Sequence, residues 1–535
     1  MPRSAPCAVA AALFAAIALT PLHPRAQPSR SLTIGAQTPP SALDPHYHNT
    51  TQNNAALGQV FERLFEQMPS GKIEPRLATG VRALDALTWE VTLREGVRFH
   101  DGTPFEAEDI AWTYARIPQV ANSPALFTVA VRTIASVEVK DPRTVILRTR
   151  EPNPMLPSDL AGPVILSRRI HGAGGPAPAT AEFNSGRLAI GTGPHRLVSF
   201  AHAERLELAR NETYWGPAEP WDRVTFRYIP QPGSRVAALL SGEVDMIDYV
   251  PSQDVARLER DPRFRLFATD SISTVYLALD SMRETTPFAA DSQGRPLQGN
   301  PLADRRVREA LSLGIPRQAI AQRLYQGQAT PADQFAAPAA EHRLEGQPPL
   351  PFDQARARAL LAEAGYPEGF RLTIHGPTNF FPSDDNLLQA VAQGFTRIGV
   401  ETQVQTLPGP TLFTRATNRE FSMFITFFSS WYAINPIRQV VMTRDPVAGF
   451  GPFNRTRYSN PAVDRPAAEA LVTMDEEKRR ALTHEAIRAM MEDKAVIPVV
   501  FLRYAWAARR DRLTYEASPG GWTTSLYARP VAAAR

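Results

Sequence analysis

The stretch TWEVTLREGVRFHDGTPFEAEDIAWTY, Thr88 to Tyr114, decides how the rest of the chain is read. Its first half alternates, with Trp89, Val91 and Leu93 on one face and Glu90, Thr92 and Arg94 on the other, the period-two pattern of a half-buried strand. Asp101-Gly102 supplies a turn, because glycine accepts positive φ and aspartate bonds nearby backbone. Thr103-Pro104-Phe105-Glu106 then reads as a capping box with proline at the first helical position, and Glu106, Glu108 and Asp109 put negative charge in the first helical turn. The stretch predicts a strand, a turn and a helix through Ile110 to Tyr114. Patterning alone stops there, since many unrelated domains contain those three elements.

At 535 residues the chain exceeds what one core organises, so two or three domains are expected. A hydrophobic content of 43% with 21% charged residues is that of an ordinary globular protein. Arg3, the apolar run Ala8 to Leu19, then Pro21, Pro24 and small residues up to Ala26 read as a secretory signal peptide over residues 1–26. That run is too short to span a membrane, and no later segment approaches the roughly 20 apolar residues a span requires. Cys7, the only cysteine, precedes the apolar run, where a lipoprotein cleavage cysteine would follow it; the mature chain is expected without lipid, thiol or disulfide. Losing Arg3 and Arg25 leaves 56 of 58 basic residues against 54 acidic ones, a net charge of +2. With no basic block long enough to track phosphates, nucleic acid is not an expected partner.

Motifs that carry chemistry are missing. There is no Gly-x-Ser-x-Gly, no His-Glu-x-x-His, no Gly-x-x-x-x-Gly-Lys, and no cysteine nucleophile in the mature chain, so neither an enzyme nor a cofactor is expected. His46-x-His48 beside Asp44 is half a metal site at most, and a polar loop is the favoured reading because no third ligand stands nearby. Gly191-x-Gly193 lacks the third glycine and the following helix of a dinucleotide loop.

The order of residues goes further. Leu93-Arg-x-Gly-Val-x-Phe-His-Asp-Gly-x-Pro-Phe-x-Ala-Glu-Asp-Ile110 resembles the signature of the extracellular solute-binding protein family 5, the dipeptide, oligopeptide and nickel type substrate-binding proteins of ABC importers. Leu43-Asp44-Pro45-His46, Gly191-Thr192-Gly193-Pro194, Tyr214-Trp215-Gly216-Pro217, Trp221-Asp222-Arg223-Val224 and Leu239 to Asp245 (LLSGEVD) resemble it too. The resemblance implies an α/β, two-lobed periplasmic-binding-protein fold of the large, cluster C type, with a discontinuous first lobe and an extra subdomain. Lobe I is expected over 27–268 and 500–535, its extra subdomain over about 50–185, and lobe II over 269–499. The crossing and its hinge are expected near Thr269 to Leu279.

Periodicity supplies local expectations. Ser31 to Gln37 reads as a first strand, Asn53 to Glu66 as a helix, Val137–Val139 with Thr144–Leu147 as a hairpin, and 171–179 as loop. A short helix at Val236 to Leu240 ends at Gly242 ahead of a strand over Val244 to Val250. Asp304, Pro316 and Asp353 open helices, Phe370 to Ile374 and Val400 to Leu407 read as strands flanking a helix at Leu387 to Ile398, and a helix at Arg479 to Met491 leads into a strand at Val496 to Trp506.

The resemblance places the ligand cleft at Phe427 to Ile437 (FFSSWYAINPI), with Trp431 and Tyr432 stacking on the solute or serving as core aromatics. Candidate contacts are Gln37 and Thr38 from lobe I, Tyr276 near the crossing, and Asn379, Trp431, Tyr432 and Asn435 from lobe II. Peptide-binding members resemble Trp-x-x-Asp here, the aspartate pairing with the ligand's amino terminus, whereas this chain has Ile434. Dipeptide binders carry an arginine for the carboxylate in the loop where this chain reads Asn379-Phe380-Phe381-Pro382. The expected role is a periplasmic, monomeric substrate-binding protein that delivers a peptide-like or other small solute to ABC permease subunits and, through them, to the ATPase subunits. A solute sensor docking on a chemoreceptor, a secreted hydrolase and a chaperone are the alternatives.

Overall fold

The structure is a computed structural model describing Met1 and residues 30–531 other than 125–126, 174–179 and 379. Apart from Met1, the expected signal peptide lies outside the described residues, as does Asn379.

A twelve-stranded mixed sheet organises the chain. Its main path runs Ala289–Ala290, Phe370–Thr378, Met423–Ser429, Phe264–Leu279, Val496–Arg509, Met246–Ile247, Ser31–Ala36, Arg223–Tyr228, Arg205–Arg210 and His195–Ala201. Two further strands join off this path: Ala329–Pro331 pairs with Val496–Arg509, and Val400–Pro408 with Phe370–Thr378. The two longest strands, of 16 and 14 residues, lie antiparallel at the centre and tie one half of the sheet to the other. Their register runs from Phe264↔Arg509 to Asp270↔Arg503, breaks, and resumes at Thr274↔Phe501. The boundaries expected at 268/269 and 499/500 fall within these two strands. Val275, Leu277, Leu279, Ile497, Val499 and Val500 are buried here, so the segment where the crossing is expected is core.

The opening stretch builds a separate four-stranded antiparallel sheet in the order Ala78–Ala83, Thr88–Leu93, Thr144–Thr149, Ile134–Asp141. Trp89, Val91 and Leu93 are buried as the alternation requires. The helix, however, spans Ala107–Arg116 and begins later than the sequence suggested. The Asp101 carboxylate accepts from the Thr103 amide at 2.9 Å and its hydroxyl at 2.7 Å, and the Phe105 amide donates to the Val97 carbonyl, so Thr103 to Phe105 stay in the turn. Glu106 is the true cap, in a box closed by Asp109.

Two other expectations shift. The helix read over 53–66 is only Thr51–Leu57; the chain then turns into the strand Phe65–Gln67, yet Leu57, Val60, Phe61, Leu64 and Phe65 are all buried, so the apolar stripe is core without being one helix. The strand read over 244–250 is reduced to Met246–Ile247, because Asp245 and Asp248 flank it and accept the amides of Thr33 and Gln37 through their side chains, each at 2.9 Å. Asp304 and Asp353 cap Arg305–Gly314 and Gln354–Glu363 as expected, and Gly242 ends Pro232–Ser241 at φ +81°. His46 is no metal ligand: its Nδ1 lies 2.9 Å from Arg116 Nη1, whose other terminus pairs with Asp44 at 2.7 Å in full burial. Among the described residues no helix is long and apolar enough to cross a membrane.

Glu62 gives the fold a pH dependence. Its carboxylate accepts from the Tyr214 hydroxyl at 2.7 Å and Trp215 Nε1 at 2.9 Å, and burial pushes its pKa from 4.5 up to about 7 against those bonds. A folded pKa above the unfolded one means this contribution is complete in acid and is lost as pH rises from 4.5 through about 7. Glu62→Gln should therefore gain roughly 1–3 kcal/mol on the native chain between pH 5 and pH 8, read by urea unfolding. Parallel stability profiles for the two proteins would show that Glu62 stays ionised.

Candidate functional site

The strand Met423–Ser429 pairs with the crossing strand from Leu279↔Met423 to Ser273↔Ser429, which delivers the next residues beside the register break. There Ser273 Oγ lies 2.7 Å from Ser429 Oγ and 2.8 Å from the Tyr504 hydroxyl, a polar cluster inside otherwise apolar strands. The chain then leaves the sheet. The Ser430 hydroxyl accepts from the Tyr432 amide at 3.1 Å, while Glu341 takes the Trp431 carbonyl through its amide at 2.7 Å and accepts the Ala433 amide at 2.9 Å. Trp431 and Tyr432 are thereby held by backbone bonds on both sides, and both side chains are half-buried.

Each aromatic reaches across to the other half of the molecule. The Trp431 ring lies 3.1–3.2 Å from where a Cβ on Gly71 would sit, and Gly71 holds φ +84° in the turn joining Phe65–Gln67 to Ile73–Pro75. Only glycine meets both conditions without strain. Tyr432 stands near Ser158 and Asp159; burial raises its pKa, Glu341 and Asp159 add to that rise, and Ser158 opposes it. A third bridge joins the Arg132 guanidinium to the Ala448 carbonyl, beside Gly449 at φ +69°, where a Cβ would fall 2.6–2.7 Å from Arg132 atoms.

The other predicted residues lie elsewhere. Gln37 and Thr38 follow the first strand, where the Gln37 amide donates to Asp248 Oδ1 at 2.9 Å and Thr38 borders a recess of about 20 Å³ with Tyr228, Tyr249 and Thr523, room for one water. Burial pushes the Asp248 carboxyl up to about 6. Asn435 is half-buried and donates its amide to the Tyr432 carbonyl at 3.1 Å. Tyr276 is 2% exposed and edge-on to Phe335 with ring centroids 4.8 Å apart, a core position on a stretch of strand that is buried on both faces. Ile434 is likewise core at 4% exposure.

Sequence reading missed Ser158, Asp159, Arg132 and Arg438, which stand along this seam. The signal for Arg438 was a lone charge in the apolar run Ile434 to Met442. Among the described residues one trio offers three metal-ligand atoms within 4.8 Å, Glu341, His342 and Glu476, but Arg479 and Arg480 lie close enough to oppose a cation there.

Comparison with known proteins matches residues 72–442 to the bacterial extracellular solute-binding proteins, family 5. The glutathione-binding protein GsiB of Salmonella typhimurium is 28% identical over 470 residues, 86% of each chain. Two solved structures share the fold: NikZ from Campylobacter jejuni in complex with Ni(L-His), TM-score 0.77 and 22% identity over 91% of this chain and 95% of that one, and the oligopeptide-binding protein AppA of Bacillus subtilis with a nonapeptide, TM-score 0.77 and 18% identity over 95% and 100%.

Proposed function

The chain belongs to the bacterial extracellular solute-binding proteins of family 5, and we propose that it closes two lobes around a peptide-like or other small solute and presents the closed form to a membrane permease. It is the substrate-binding protein of an ABC importer and not an enzyme. In this proposal lobe I comprises 27–268 and 500–535 with an extra subdomain over about 50–185, and lobe II comprises 269–499. A cleavable signal peptide over 1–26 takes the chain to the periplasm without lipidation. It works as a monomer with permease subunits and, through them, the ATPase subunits. The solute contacts are Gln37 and Thr38 on one side and Asn379, Trp431, Tyr432 and Asn435 on the other.

One observation carries this reading: Trp431 and Tyr432 span the seam, meeting Gly71 and Ser158 of the opposite half. A solute touching both sides binds the closed state better than the open one, and only such a difference couples binding to closure. The cargo named for the relatives runs from glutathione to a nickel–histidine complex and a nonapeptide. With Ile434 in place of an acid, nothing at that position grips a free ammonium, so the proposed solute is a peptide-like compound not anchored by its amino terminus there.

Thermal shift on solute-stripped protein tests this against free dipeptides, longer and N-blocked peptides, glutathione, opines, sugars and metal chelates. A ligand at 100 times its Kd adds about 2.7 kcal/mol, which is readily seen. Blocked peptides or glutathione should stabilise the protein and free dipeptides should not. Strong stabilisation by free dipeptides would overturn the reading of Ile434, and silence across the panel would sink capture of a peptide-like solute.

A further inference from the structure

Ile110 and Tyr114 of the helix Ala107–Arg116 pack into one core with Trp89, Val91, Val145 and Leu147 of the four-stranded sheet. Ala111 and Ala115, four residues apart on one side of that helix, are too short to fill the space beside them. A recess of about 540 Å³ remains between the helix and the sheet's edge strand Ile134–Asp141, with Val131, Ile134 and Val137 among its apolar walls. The edge strand bulges there: Ala135 has no partner between the pairs Ile134↔Thr149 and Ser136↔Arg148. Every residue lining the recess falls within 111–150, on one half of the molecule.

Two side chains on this wall carry donors without acceptors. Tyr114 is 5% exposed, and its buried hydroxyl meets no hydrogen-bond partner among the described residues. Arg132 Nε is buried in the same condition. Folded proteins leave few buried polar groups unpaired, and a small-molecule site is an apolar recess of about 300–1,000 Å³ with a few polar groups set in it. Burial, and Asp159 after it, hold the Tyr114 hydroxyl well above its ordinary range, so it keeps its proton and donates. The two arginines on the wall are already engaged. Arg150 Nη1 donates to the Ile134 carbonyl at 3.0 Å, and Arg132 Nη2 has Glu151 at 4.0 Å. No aspartate, glutamate, lysine or histidine lines the recess among the described residues, which leaves it suited to a neutral acceptor.

We propose that this recess is a second binding site, separate from the seam around Trp431, for a compact uncharged molecule with an apolar body and a carbonyl oxygen that accepts from the Tyr114 hydroxyl. Because one half supplies the whole wall, binding there does not require the two halves to close on the molecule.

Fluorescence titration of the mature protein with prodan, a naphthyl ketone whose emission moves to shorter wavelength in apolar surroundings, tests this. A saturable shift corresponding to one bound probe is expected. Ala115→Trp and Ala135→Trp, each filling the recess from an exposed position, should both abolish it. Tyr114→Phe should weaken prodan about tenfold, the worth of one hydrogen bond, yet unfold no earlier than the parent, because its hydroxyl gives up no bond within the protein. Trp431→Ala should leave the titration unchanged. No saturable shift, or one that survives both tryptophan variants, overturns the site. A shift lost in Trp431→Ala puts the probe at the seam and overturns it as well. Tyr114→Phe binding prodan as tightly as the parent, or unfolding several degrees earlier, makes the hydroxyl a structural group and removes the carbonyl assignment.

Discussion

Arg116→Met is expected to lower the unfolding midpoint by roughly 10 °C, because it strands a buried carboxylate. Arg116 and Asp44 pair at 2.7 Å with both side chains fully buried. Asp44 also accepts from the Thr180 hydroxyl at 3.0 Å and, through its other oxygen, from the His46 amide at 3.1 Å. Those neutral donors soften the loss of Arg116 without replacing its charge. Removing one partner of such a pair costs about 3–5 kcal/mol, and a domain of this size loses about 2–4 °C per kcal/mol. The double variant Asp44→Asn with Arg116→Met should recover part of the deficit, since no charge is then buried. Scanning calorimetry on the three proteins decides it: a double variant no better than Arg116→Met alone would mean that lost packing, not the stranded charge, sets the effect.

Trp431→Ala is expected to weaken binding of whichever solute stabilises the protein by roughly 30- to 1000-fold, the ~2–4 kcal/mol typical of a buried aromatic anchor. The solute-free protein should melt within a few degrees of the parent, because the ring is half-buried and its backbone is held by Glu341 independently of the side chain. Trp431→Phe should retain most of the affinity. Calorimetric titration with the strongest ligand of the thermal screen measures this. A variant that binds as well as the parent would place Trp431 in the wall between the halves, not against the solute.

Much of the fold was legible because its elements announce themselves locally. Trp89, Val91 and Leu93 alternate and are buried; Asp304, Asp353 and Gly242 sit at helix ends as their side chains or conformational freedom require. Two of the misreadings have one physical origin, side chains competing for backbone partners. Asp101 holds Thr103 in a turn, and Asp245 and Asp248 take amides of the first strand, neither of which periodicity registers. The seam was only half legible. Trp431 and Tyr432 stand out as aromatics in an identifiable segment, but Gly71, Ser158 and Arg132 come from distant loops and acquire meaning only through what faces them. Tyr276 packs edge-on to Phe335 in a strand buried on both faces, which its position near the expected crossing does not reveal.

In the proposed capture, the break in register between Asp270 and Thr274 is the place where the two central strands can bend. Long paired strands on either side prevent the halves from sliding, which leaves the break as a fulcrum. Trp431 lies only two residues beyond Ser429, itself opposite Ser273 at that fulcrum, so it sits on a short lever arm of at most about 7 Å of chain. A rotation about the break would move the indole less than any group standing further from it, so in the proposed capture a solute resting on Trp431 is displaced least.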